Sequence, residues 1–156
     1  MQAELIGITR YLRGDGTPEE LLEHAGRVCY RSQPKGEPGK FLQARIREGH
    51  ESLIEHLRFI FRITDVPDSE LLAAYQVAHG IGLTKGHESI IMSLNARTLR
   101  DMVRRSGTRL AYALLDVVAD EHPAIFQDLV RSTDRRECGA DPDDDLQETR
   151  REKWKS

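Results

Sequence analysis

The sequence predicts an α+β domain, a small mixed sheet packed with helices. Two short apolar runs read as strands, at 57–63 and 90–94, and the stretches around them repeat apolar residues at helical spacing. Clusters of glycine and proline punctuate the boundaries. The chain has 156 residues, of which 38% are hydrophobic and 31% charged, which suits one folded domain with a solvated segment. Lys+Arg 23 against Asp+Glu 26 gives a formal charge of −3, so no global basic excess is available to grip nucleic acid. No apolar run approaches the ~20 residues of a membrane helix. The segment Met1-Gln2-Ala3-Glu4-Leu5 lacks the build of a signal peptide. Two cysteines, Cys29 and Cys138, make neither a disulfide framework nor a zinc knuckle. A cytoplasmic setting is expected.

Taken in order, Leu5-Ile6-Gly7-Ile8 is a short strand. Gly14-Asp15-Gly16-Thr17-Pro18 turns into a helix, with Thr17 as N-cap, Pro18 at the first helical position, and Glu19 and Glu20 at its positive end. Leu21, Ala25 and Val28, extended by Leu22 and Cys29, are its expected buried stripe. Residues 32–39 form a loop, and 41–48 a second helix stopped by Gly49. In Leu57-Arg58-Phe59-Ile60-Phe61-Arg62-Ile63, arginines alternate with apolar residues, placing Phe59, Phe61 and Ile63 on one face. Val66-Pro67-Asp68-Ser69 opens a helix striped by Leu71, Leu72, Tyr75, Ala78 and His79, and broken by glycines at 80, 82 and 86. After the strand at 90–94, helices run over 96–105 and 108–119, with a further turn reaching 130. This gives a domain over 1–131. Residues 132–156 are almost devoid of apolar side chains apart from Trp154 and read as a charged, mobile tail.

Two motifs concentrate chemistry. Gly49-His50-Glu51-Ser52-Leu53-Ile54-Glu55-His56 puts two histidines and two carboxylates at a helix-to-strand joint. Its histidines do not share a helical face in the manner of a zinc motif, so no metal is expected and a polar cap or turn is the plain reading. Gly86-His87-Glu88-Ser89 repeats the first four residues and reads as a second connector. Asn95-Ala96-Arg97-Thr98-Leu99 follows a strand and opens a helix, where free backbone N–H groups offer an anion cradle. Asn95 suits the cap, Arg97 supplies a planar fork, and Arg100, Arg104 and Arg105 add charge along what otherwise reads as a solvated basic helix. A phosphate or flavin contact there needs Arg58, Arg62 or His79 to converge on it. No Ser-His-Asp pattern or phosphate-binding glycine loop points to another reaction.

Gly26-Arg27-Val28-Cys29-Tyr30-Arg31-Ser32, the His50-Glu51-Ser52…Glu55-His56 run and Leu94-Asn95-Ala96-Arg97-Thr98-Leu99 occur in the order found in flavin-dependent thymidylate synthases, and the chain resembles that family over most of 20–130. The resemblance implies a homotetramer that holds FAD at subunit interfaces. It also implies transfer of a methylene from a folate to dUMP, with flavin hydride completing the methyl group. It places His50, Ser52 and Glu55 on the flavin side, and Asn95 and Arg97 against the flavin. Asp101 stands where the family often has an asparagine against the flavin. Arg105, or Arg104 if the spacing slips by one, falls near the arginine that polarises the pyrimidine, so Arg97 and Arg105 are the expected catalytic pair. His79 falls where the family keeps a phosphate-binding arginine. The chain departs from the family in lacking the Arg-His-Arg-x-x-Ser-x-Asn-x-x-Ser-x-Arg block, which would lie between Ile63 and Tyr75. The implied function is that of a trimmed thymidylate synthase-like flavoprotein, performing reductive methylation or hydride transfer on a pyrimidine nucleotide or related heterocycle. A reassigned enzyme of secondary metabolism using the same pocket, and a non-catalytic oligomeric scaffold without flavin, stay open as alternatives.

Overall fold

The computed structural model describes residues 1–14 and 16–137, with the backbone alone over 131–137. Strand β1 (Gln2–Ile8) is followed by helices α1 (Pro18–Tyr30) and α2 (Pro38–Arg47) and a 3-10 helix (Glu51–His56). Strand β2 (Arg58–Thr64), helix α3 (Asp68–Val77), and strands β3 (Gly82–Lys85) and β4 (Ile90–Asn95) come next. Helices α4 (Ala96–Arg105), α5 (Arg109–Val118) and α6 (Pro123–Glu137) complete the fold. The four strands form one sheet in the order β1-β2-β4-β3, and every neighbouring pair is antiparallel rather than mixed as expected.

The period-2 pattern of β2 decides which face the helices cover. Phe59, Phe61 and Ile63 are fully buried and lie opposite Leu94, Met92 and Ile90 of β4. Full burial of each such side chain is worth roughly 1.5–3 kcal/mol. Phe59 also meets Phe126 of α6 at 6.1 Å between ring centres. The opposite face carries Arg58, Ile60 and Arg62, with Ile60 left 38% exposed. Leu22, Leu42, Ile54, Leu99, Leu110 and Leu114 bring the helices and the 3-10 segment into the same core.

Helix α1 begins as expected, with the Thr17 and Glu20 side chains each accepting the other's backbone N–H in a capping box. Its buried face differs from the expected one. Leu22, Glu23 and Gly26 point inward, whereas Val28 is 65% exposed and Cys29 is exposed too. Gly26 is the reason: a Cβ there would lie 2.8 Å from Phe41, so only glycine lets α2 pack this close. Helix α2 starts three residues early, at Pro38, because proline is at ease in a first helical turn. Gly49, at φ 82°, ends the turn after it, with the His50 N–H donating to the Arg45 carbonyl at 2.9 Å.

The two Gly-His-Glu-Ser segments adopt unrelated structures. The first enters the 3-10 helix, while the second makes the tight β3–β4 turn through Gly86 N–H to Ser89 O at 2.9 Å. The stretch read as glycine-broken contains β3, a four-residue edge strand held by backbone pairing to β4. On α3, Leu72 (60%) and Tyr75 (48%) are exposed and His79 lies beyond the helix end, so the inward residues are Leu71, Ala74 and Ala78. The further turn expected up to 130 is a full helix, α6, whose backbone runs on to Glu137. The expected tail over 132–156 thus overlaps its last turns, and its remainder, with Cys138 and Trp154, lies outside the described residues.

Candidate functional site

The sequence-predicted residues gather around helix α4. Asn95 is both the last residue of β4 and the N-cap of α4, its Oδ1 accepting the Thr98 N–H at 2.7 Å. Ala96 N–H is taken by the Leu57 carbonyl at 2.8 Å. Two of the amide donors expected to cradle an anion are therefore already engaged, and the side chains carry the site instead.

On one flank of α4, Arg97 Nη1 donates to Glu55 Oε1 at 2.5 Å, and both side chains are 45% exposed. Glu55 belongs to the 3-10 helix, which also carries exposed Ser52 and follows exposed His50. His50 Nδ1 lies 2.6 Å from the Tyr30 hydroxyl, so the end of α1 reaches the same flank. On the other flank, Thr98 Oγ1 donates to the His79 carbonyl at 2.8 Å and Arg105 Nη1 to the Val77 carbonyl at 3.1 Å. His79 thereby sits beside the first turn of α4 with its ring exposed. Asp101 is half-buried between Thr98 and Arg105 in the helical order of that flank.

Of the three residues whose convergence was required, two bear on this end of α4. Arg58 donates to Ser93 Oγ at 2.7 Å and to the Gly80 carbonyl at 2.8 Å, and pairs with Asn95 across the sheet. His79 is the neighbour of Gly80. Arg62 turns away to Glu4 at 3.2 Å.

The expectation of a solvated basic helix fails at Arg100, which is fully buried. Its guanidinium donates to both carboxylate oxygens of Asp128 at 2.7 Å, to Glu51 Oε1 at 3.2 Å and to the Ile125 carbonyl. Arg104 joins through Glu51 at 2.8 Å and 3.0 Å. Burial pushes the Asp128 carboxyl up, but the hydrogen bonds and charge of Arg100, with the charge of Arg104, outweigh this and hold it below the usual aspartate value. This cluster fixes the 3-10 helix and α6 onto α4. Periodicity carried the signal, since position 100 lies between Ala96 and Val103 on the buried stripe. Tyr30 was equally unforeseen, and no spacing marks a contact twenty residues apart. Among the described residues no group of three or more His, Cys, Asp or Glu is placed to hold a metal. Nor is any described helix long and apolar enough to cross a membrane.

With this geometry, likeness to known proteins is informative. The family described as thymidylate synthase complementing protein matches residues 11–79, from before α1 to the end of α3. Two crystal structures of Helicobacter pylori flavin-dependent thymidylate synthase X, each with FAD and dUMP, share the architecture at a TM-score of 0.62. They are 15% and 16% identical in sequence, and the match covers 83% of this chain and 99% of theirs. The chain has the fold of the flavin-dependent thymidylate synthases. No curated protein matches it by sequence.

Proposed function

We propose that this chain binds FAD and holds a pyrimidine nucleotide or related heterocycle against it, as a flavin-dependent thymidylate synthase-like protein. The observation that carries the reading is the half-exposed Arg97–Glu55 pair at 2.5 Å. A guanidinium donor beside a carboxylate acceptor matches an imide edge, in which a carbonyl adjoins an N–H. The isoalloxazine ring and uracil both present that edge.

The donor set fits a flavin. Arg97 and Glu55 would meet the imide edge, with Asn95 at the same end of α4 and exposed His50 and Ser52 adding polar groups from the start of the 3-10 segment. Bound FAD would supply hydride-transfer chemistry. The chain's own residues orient and polarise. Arg105 keeps N–H groups beyond the one spent on the Val77 carbonyl, so it is assigned to the pyrimidine, with His79 beside it for a phosphate and Asp101 next to both. Arg104 is assigned to the Glu51 cluster instead. His50, Ser52, Glu55 and Arg97 are all exposed, so one chain leaves one side of a bound ligand in water. A homo-oligomer, expected as a tetramer, would cover it.

A second reading, an oligomeric scaffold without flavin, draws on a specific observation. Arg58, Arg62 and Arg104, which could have gripped a nucleotide's phosphates, are engaged with Gly80 and Ser93, Glu4 and Glu51.

The absorbance spectrum of the purified protein, followed by titration of FAD and dUMP, separates the two. Flavin absorbance is expected. Arg97→Lys keeps the charge and loses the fork, and the loss of a charge-assisted hydrogen bond of about 1.5–3 kcal/mol weakens flavin binding roughly ten- to a hundredfold. A colourless wild type that takes up neither ligand selects the scaffold.

A further inference from the structure

At the C-terminal end of α1 lies an open cavity of about 390 Å3. His24, Arg27, Val28 and Arg31, on successive turns, line it together with Ser32 and Pro34 of the loop that follows.

The two arginines play different parts. Arg27 is held in place: Nε and Nη2 donate to Glu23 Oε1 at 3.2 Å and 3.0 Å, Nη1 donates to Ser32 Oγ at 3.3 Å, and its guanidinium lies 4.2 Å from the centre of the Phe41 ring. Buried Glu23 balances its charge. Arg31 is exposed and makes no side-chain hydrogen bond or ion pair with a described residue. It also occupies a left-handed backbone conformation, φ 46° and ψ 44°, at the helix end. The Arg31 and Ser32 N–H groups close that end on the Val28 and Arg27 carbonyls at 3.3 Å and 3.1 Å. This arrangement favours glycine, because a β-carbon is strained there. The backbone thus gains nothing from an arginine, and the side chain is what the position supplies. The same cavity is lined by two apolar side chains, Val28, which is 65% exposed, and Pro34.

We propose that this cavity binds the oxyanion of a small organic ligand, a phosphate or a carboxylate. Arg31 grips the oxyanion and the ligand's apolar body rests on Val28 and Pro34. A planar fork beside an apolar shelf recognises this combination better than either part alone. None of the flavin-assigned residues takes part, so the inference is independent of the function proposed above.

The test is calorimetric titration of the full chain, at low ionic strength, with inorganic phosphate, phenyl phosphate and benzoate. Phenyl phosphate or benzoate is expected to bind several-fold more tightly than inorganic phosphate, and the tighter of the two names the oxyanion. Arg31→Gly is expected to weaken that probe about tenfold. Its melting temperature should hold or rise, because glycine suits φ 46°. Arg109→Gln, which removes an exposed charge on α5, should leave the affinity unchanged. Three results would overturn the proposal: no uptake of either organic probe at millimolar concentration, wild-type affinity in Arg31→Gly, or an equal loss in Arg109→Gln.

Discussion

At the scale of the residue, two positions make opposite demands on their surroundings. Gly26 needs emptiness. Its missing Cβ would sit 2.8 Å and 2.9 Å from ring carbons of Phe41, which is itself pinned by Arg27. Gly26→Ala is therefore expected to destabilise the fold by about 1–3 kcal/mol in urea denaturation. Gly39→Ala, whose Cβ would meet Ala124 at an ordinary 3.5 Å, should fall well below that. Arg100 needs company. It is fully buried, and Asp128 meets it with two hydrogen bonds. Asp128→Ala leaves guanidinium donors short of partners and is expected to cost about 1–3 kcal/mol. Arg104→Ala removes only a partly exposed arm of the same cluster and should cost about 0–1 kcal/mol. Equal losses in the two variants would mean that Arg100 draws no more from Asp128 than a surface pair does. Neither demand is written in composition: Gly26 sat in a recognised motif with nothing to mark its packing role, and Arg100 was one cation among four on α4.

At the scale of the element, the 3-10 helix is tied to α4 through Glu51, which bonds both Arg100 and Arg104. That tie holds the segment from His50 to Glu55 against α4, with Glu55 on Arg97. Glu51→Gln should speed amide hydrogen exchange across 51–56 several-fold while leaving exchange in β2 and β4 unchanged. A uniform change across all three segments would show that Glu51 supports the whole fold and not this segment. The elements legible from sequence were those with a strong period or a cap: β2 from its arginine alternation, α1 from Thr17 and Pro18, and α4 from Asn95. Two short ones were not, and α6 read only as a further turn. The 3-10 helix follows no 3.6-residue period, and β3 owes its existence to pairing with β4 and not to its own Gly82-Leu83-Thr84-Lys85. The site followed the same division. Its α4 residues were readable from the strand-to-helix junction, whereas the contacts of Arg58 with Gly80 and of Tyr30 with His50 arise only once distant segments meet.

At the scale of the whole molecule, stability depends on pH through two carboxyls that fasten α6. Asp128 joins it to α4, and Glu19 of α1 accepts from or pairs with His122, which caps the start of α6, at 3.0 Å. Burial pushes Glu19 up, but the His122 hydrogen bond, the hydrogen bond to its own backbone and the His122 charge carry it below the usual glutamate value. Both carboxyls are lowered on folding, so their stabilisation is present above the unfolded values of 4.5 and 3.8 and is lost as pH falls through the folded ones. The melting temperature is expected to hold from neutral pH to about 5 and then to fall, and Asp128→Asn should flatten that acid limb. An acid limb of unchanged steepness in the variant would remove Asp128 from the account. The outer sheet face, with Ile6 and Ile60 at 42% and 38% exposure, and α3, with Leu72 and Tyr75, leave apolar surface uncovered on a single chain. Light scattering at micromolar concentration is expected to return more than one copy; a monomer would leave the candidate site one-sided.

The junction at Asn95 has a further consequence. The residue is paired to Arg58 in the sheet, and the next one, Ala96, still donates to Leu57, so strand and helix meet without a spacer. The angular phase of α4 is thereby locked to the register of β4. Inserting one residue here would turn the helix by roughly 100° about its axis, carrying Arg97 off the Glu55 flank and swinging Arg100 out of the core. The chain can therefore vary in length before β4 or after α4, but at this joint its length is as constrained as its chemistry.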